Sequence, residues 1–156
     1  MTPPPARELK WDVPALDLLH ELAGSRLPLR LPSTPVVRSF HRDLYFDTPD
    51  GSLTRRGITC RWRAGADDRR ILTVGFPGAP FVSSDSPETD AVAAFAGQSE
   101  AARRLRGAAD PAALQLLAEL EVERLPRQSL SPWPWRGRFA FTYDAVSVRR
   151  SGIART

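Results

Sequence analysis

Arginines two residues apart on strand-like segments are the feature of this sequence richest in chemical meaning. Arg61 and Arg63 lie in the run ITCRWR, where strand alternation puts both on one face and Cys60 and Trp62 on the other. Glu8 and Lys10 alternate with Leu9 and Trp11 in the same way, and Asp144 in FAFTYD keeps the parity of Arg138. Arg124 and Arg127 flank a Leu-Pro pair and share a face only if a bulge sits at Pro126. In an ordinary half-buried sheet this alternation means polar side chains outward and apolar ones inward. Its recurrence also fits a closed sheet whose charged face turns inward as a polar tunnel. Charges enclosed that way need partners. A polyanion with a divalent metal supplies them, because guanidinium forks take phosphate oxygens in pairs and carboxylates hold Mg²⁺.

Several elements must position these groups. RELKWDV, residues 7–13, is expected as a short strand carrying Glu8 and Lys10. Asp12 and Pro14 then signal a helix start; Leu16, Leu19, Leu22 and Ala23 follow at helical spacing, and Gly24 ends the run. VVRSFHRDLYF, residues 36–46, reads as a long strand, with DTPDG turning the chain after it. Ile58 to Arg63 and Arg70 to Phe76 are expected as two further strands joined by AGADD in a hairpin. Three helical pieces follow: from Ser86-Pro87-Glu88 to Gly97, from Ser99 to Gly107, and from Asp110-Pro111 with Leu114, Leu117 and Leu120 inward. Residues 86–122 thus read as a helical insertion between strands. ELEVERLPRQSL, RGRFAFTYD and AVSVRR are the closing strand candidates, and the sum is an α+β chain with a mainly antiparallel sheet.

Bulk composition narrows the function classes. The chain has 156 residues, 42% of them hydrophobic and 26% charged, which suits one folded domain rather than a disordered chain. A net charge of +4 points to anionic partners, and of 22 basic residues only Lys10 is lysine. Cys60 is the single cysteine, so an intrachain disulfide is impossible; a reducing compartment and a cytoplasmic setting are expected, with no secretory leader and no membrane span. His41 has no second His or Cys nearby to make a zinc site, and Glu119, Glu121 and Glu123 read as solvated. Phosphate-binding P-loop, dinucleotide-binding and nucleophile-elbow motifs are absent. A nucleic-acid interface is disfavoured, since aromatic stacking platforms are not evident.

The stretch YFDTPDGSLTRRGITCRWR, Tyr45 to Arg63, resembles the CYTH signature of the triphosphate tunnel metalloenzymes. Its Tyr-x-Asp-Thr-Pro-Asp turn, Leu-x-x-x-Gly step and Arg-x-Arg strand follow in the family's order. The resemblance is specific from about Arg42 to Leu72 and looser elsewhere. It implies a single domain over residues 1–156, folded as an antiparallel β-barrel tunnel with flanking helices. It also implies Mg²⁺ or Mn²⁺ acting with a triphosphate, as in inorganic triphosphatases, thiamine-triphosphatases and class IV adenylate cyclases. Phosphate contacts would fall to Lys10, Arg61, Arg63, Arg124, Arg127 and Arg138, and catalytic and metal-holding roles to Glu8 and Asp144.

The sequence departs from the family's pattern at three places. Ala6 stands where a first metal-binding glutamate belongs, Gly75 where a lysine belongs, and the family's C-terminal Glu-x-Glu strand has no counterpart. The barrel is therefore expected to be incomplete, or completed by an additional domain or chain. The function expected is binding of a triphosphate- or polyphosphate-containing small molecule, with Mg²⁺- or Mn²⁺-dependent hydrolysis. The alternative is a non-catalytic polyanion- or nucleotide-binding domain at the N-terminal end of a larger protein.

Overall fold

The computed structural model describes residues 9–27, 31–129 and 140–151. The chain divides into two compact units, residues 1–36 with 126–143 and residues 37–125 with 144–156.

In the first unit the one helix among the described residues is α1, Leu16–Gly24, which buries Leu19 and Ala23. Leu16 and Leu22, expected on the same inward face, remain 55% and 40% exposed. The end of α1 is closed by Arg127, whose guanidinium donates to the carbonyl oxygens of Ala23, at 2.8 Å, and Ser25. Carbonyls in the last turn lack helical partners, so a cation there satisfies both the hydrogen bonds and the helix dipole. Residues 9–13 form no strand. The expected first strand thus fails over its described part, and Glu8 lies outside the described residues.

Strands β1 (Ser39–Asp47), β2 (Thr59–Gly65), β3 (Arg70–Gly75), β4 (Val82–Asp85), β5 (Gln115–Gln128) and β6 (Ala140–Ser151) form one antiparallel sheet in the order β4-β3-β2-β1-β5-β6. Among the described residues the sheet is open, not closed into a barrel. The link from β1 to β2 is the signature stretch. Asp47 accepts from the amides of Thr48, Leu53 and Thr54 at 2.7, 2.9 and 3.1 Å, and from the Thr54 hydroxyl. This nucleates a one-turn helix, α2 (Ser52–Arg55), after Gly51 takes the left-handed φ of 69°. Gly57, at φ 67°, ends it and starts β2. The resulting register places Arg61 opposite Tyr45 and Arg63 opposite Asp43.

The two faces of the sheet differ sharply. Cys60, Trp62, Leu72 and Val74 lie under α3 (Ala91–Ala96) and α4 (Glu100–Arg106), forming the core with Ala94, Phe95, Ala101 and Leu105. Phe46 meets Phe95 edge to face with centroids 4.8 Å apart. Asp90 and Ser99 cap these helices by accepting from Ala93 and Ala102.

The expected third helix is a correction: Asp110 caps only a 3₁₀ turn, Pro111–Ala113, and Gln115 already begins β5. The helical segment therefore stops short of residue 122. Leu114, Leu117 and Leu120 have helical spacing, but Ala118, Leu120 and Val122 also alternate with Glu119, Glu121 and Glu123. Pairing with β1 selects the second pattern. FTYD and AVSVRR merge into the single strand β6, while residues 130–139, with Arg138 among them, lie outside the described residues.

Candidate functional site

The sheet face away from the helical core carries Asp43, Arg61, Arg63, Thr73 and Arg124. Ladder pairing explains why: Asp43 faces Arg63, Tyr45 faces Arg61, Arg61 faces Thr73, and Ser39, two residues before His41, faces Arg124. Asp43 is the anchor. Its side chain is 4% exposed and accepts from Arg63 Nε at 2.7 Å and Nη2 at 2.8 Å, a bidentate fork. Arg61 Nη1 stands 3.7 Å from the same carboxylate and His41 Nε2 3.9 Å from it. A second fork joins Arg124 to Asp144, with Nε at 2.8 Å and Nη2 at 2.6 Å.

Arg61 is held more loosely than either forked arginine. Its Nη2 reaches Thr73 Oγ1 at 3.5 Å, and Thr73 in turn exchanges a 3.0 Å hydrogen bond with Ser83. Its Nε is buried and meets no hydrogen-bond partner. A guanidinium offers five donors, so Arg61 keeps capacity that the protein itself does not consume. Three arginines against Asp43 and Asp144 leave the cluster positive.

The environment fixes protonation on this face. Burial, then the Arg63 guanidinium, hold the His41 imidazole below its ordinary range, with Arg124 adding to that and Asp43 and Asp144 opposing it. Hydrogen bonding to Asp144 raises the Arg124 pKa against the opposing pull of burial. Beside the two forks lies a cleft of about 500 Å³ lined by Arg38, His41, Arg63, Arg69 and Arg124.

Metal-holding capacity is a different matter. Among the described residues no three His, Cys, Asp or Glu side chains converge on a point that a cation would occupy. Both oxygens of Asp144 lie in the Arg124 fork. Glu119, Glu121 and Glu123 pair instead with Arg42, Arg149 and Arg38. These described donors do not fit a Mg²⁺ or Mn²⁺ centre.

The sequence-expected residues are therefore sorted. Arg61, Arg63, Arg124 and Asp144 come together in the second unit. Lys10 is an exposed residue of the first unit, and Arg127 there is buried and engaged with Ala23, Ser25 and Ser33. Sequence reasoning missed Asp43, though the alternation His41, Asp43, Tyr45 within HRDLYFD would have placed it on a charged face.

Comparison with solved structures identifies the architecture. A candidate adenylate cyclase from Bacillus halodurans superposes with a TM-score of 0.52 at 18% identity, covering 69% of this chain and 59% of that protein. An adenylyl cyclase candidate from Hippeastrum, with a dominant triphosphatase activity, gives 0.51 at 14% identity, covering 86% of this chain and 75% of that one. The fold resembles that of the CYTH-like tunnel proteins, with the sheet open among the described residues. The chain thus spans less than two thirds of the Bacillus protein's length. No family model matches the sequence, and no curated protein does either.

Proposed function

We propose that this chain is a CYTH-like domain whose Arg61, Arg63 and Arg124 bind the phosphate chain of a triphosphate- or polyphosphate-type small molecule. Arg61 carries the reading: a half-buried guanidinium on a polar sheet face, its Nε without a partner, is suited to an oxyanion. Arg63 and Arg124 add charge while Asp43 and Asp144 fix their orientation. Because the two carboxylates of this face, Asp43 and Asp144, are engaged by arginines, the binding expected on this reading calls on the guanidiniums rather than on a metal. The Hippeastrum neighbour's triphosphatase activity favours a second reading, triphosphate hydrolysis; the Mg²⁺ or Mn²⁺ expected of Glu8 and Asp144 would first require Asp144 to leave the Arg124 fork.

Calorimetric titration with tripolyphosphate in EDTA tests the first reading. Wild-type protein is expected to bind, and Arg61→Ala to weaken binding about tenfold or more, the scale of a lost charge-assisted hydrogen bond. Arg42→Ala serves as control, because Arg42 pairs with Glu119 and is not part of the cluster. Unchanged affinity in Arg61→Ala overturns the assignment. Phosphate release from tripolyphosphate only with Mg²⁺ or Mn²⁺ favours the second reading.

A further inference from the structure

His41 has an environment that the arginine cluster alone does not explain. Its side chain is 7% exposed, and Nε2 is shielded from water without a hydrogen-bond partner, the Asp43 carboxylate being too distant at 3.9 Å. Buried polar atoms are normally satisfied, so an orphaned imidazole nitrogen marks a place for a partner supplied from elsewhere. The ring lines the cleft together with Arg63 and Arg124. Each of those arginines spends Nε and Nη2 on its carboxylate fork, and Nη1 belongs to neither fork. Side chains from three strands thus border one space.

We propose that this cleft seats a phosphate group of the bound chain and that the His41 ring, which lines it, turns so that the shielded Nε2 donates a hydrogen bond to that group. The proposal rests on the phosphate-binding reading of the Arg61 face and adds to it a neutral donor that fixes where one end of the ligand sits. The imidazole's charge state supports it. Burial and Arg63 keep the ring neutral, with Arg124 acting in the same sense and Asp43 and Asp144 against it. A neutral ring donates from one nitrogen without the desolvation cost of a buried cation. Arg38 and Arg69, which also line the cleft, are engaged with Glu123 and Asp85.

The test is tripolyphosphate titration of the full chain in EDTA, with His41→Leu and His41→Gln beside the wild type. His41→Leu is expected to weaken binding about tenfold. His41→Gln, whose amide restores an N–H donor, should stay within about threefold of wild type. In the wild-type protein the ¹⁵N resonance of His41 Nε2 should shift on saturation with tripolyphosphate. That readout stands even if a variant fails to fold. Wild-type affinity in a folded His41→Leu, equal weakening in Leu and Gln, or an unmoved resonance in the saturated protein each overturns the role of His41. Absence of binding by the wild type overturns the phosphate-binding reading itself, which separates the two failures.

Discussion

Replacing Asp43 by asparagine removes one charge and leaves two guanidiniums looking for it. The carboxylate is 4% exposed and Arg63 19% exposed, so solvent can compensate only partly. At a charge separation near 4 Å and an effective dielectric of about 20, the lost attraction is roughly 4 kcal/mol. Breaking a buried pair from one side typically costs about 3–5 kcal/mol. Allowing for Arg63's residual hydration and for the one acceptor oxygen that asparagine keeps, about 3 kcal/mol is the expected loss for Asp43→Asn. For a chain of 156 residues the unfolding entropy is about 0.3 kcal/mol per degree, so the midpoint should fall by about 9 °C. Thermal and urea unfolding, followed by circular dichroism, measure this. The double variant Asp43→Asn with Arg63→Met should lose markedly less than the sum of the single losses, since it removes both charges together. Additive losses, or a midpoint shift under about 2 °C, would refute Asp43 as the anchor of Arg63.

Two further predictions concern the frame around the site. Asp47 has a lowered pKa: burial would raise it, but hydrogen bonds from Thr54, Thr48 and Leu53 outweigh that. A depressed carboxyl contributes stability above its unfolded pKa of 3.8 and loses it as pH falls through the lower folded value. Asp47→Ala should therefore cost about 2 kcal/mol at pH 7, with the difference from wild type shrinking in urea titrations below pH 4; a difference independent of pH refutes this. The Cys60 thiol, pushed up to about 12 by burial and then by the Asp47 charge, should resist iodoacetamide at pH 8 until denaturant unfolds the chain. Alkylation of the native protein at the rate of a free thiol contradicts the packing described.

Much of this face was legible in the sequence because its rules are local. The two-residue period fixes Arg61 and Arg63 on one side of β2 and Cys60 and Trp62 on the other, whatever the strand pairs with. The DTPDG turn is likewise written in residues that set their own backbone. Asp43 was harder to single out, because its importance lies in the register that brings it opposite Arg63, twenty residues away in sequence. ELEVERLPRQSL reads as a strand and lies mostly in β5, but the start of β5 reads as helix for a related reason. Its leucines satisfy a helical and a strand period at once, and only hydrogen bonding to β1 chooses between them. The family resemblance pairs Arg127 with Arg124 as a phosphate contact, yet its guanidinium closes the end of α1. Nothing local in LPRQ distinguishes a helix-capping arginine from a ligand-facing one.

Burial and pairing together divide the arginines by task. The Arg63–Asp43 fork is the deeper one, and its loss is expected to register in stability. The Arg124–Asp144 fork leaves its side chains 34% and 32% exposed, so it opens at lower cost. An incoming oxyanion can therefore compete for Arg124 more readily than for Arg63. A cation approaching Asp144 has the reverse problem, because it must displace Arg124 before it gains two oxygens. Arg61 stands apart from both forks, held near Asp43 at 3.7 Å and by one long contact to Thr73, with Nε unmet. Polar atoms desolvated without a partner are costly, and this face holds two of them, Arg61 Nε and His41 Nε2, on residues that both approach Asp43. An oxyanion chain that engages both offsets that cost, which is why the phosphate reading accounts for the unmet donors as well as for the arginines.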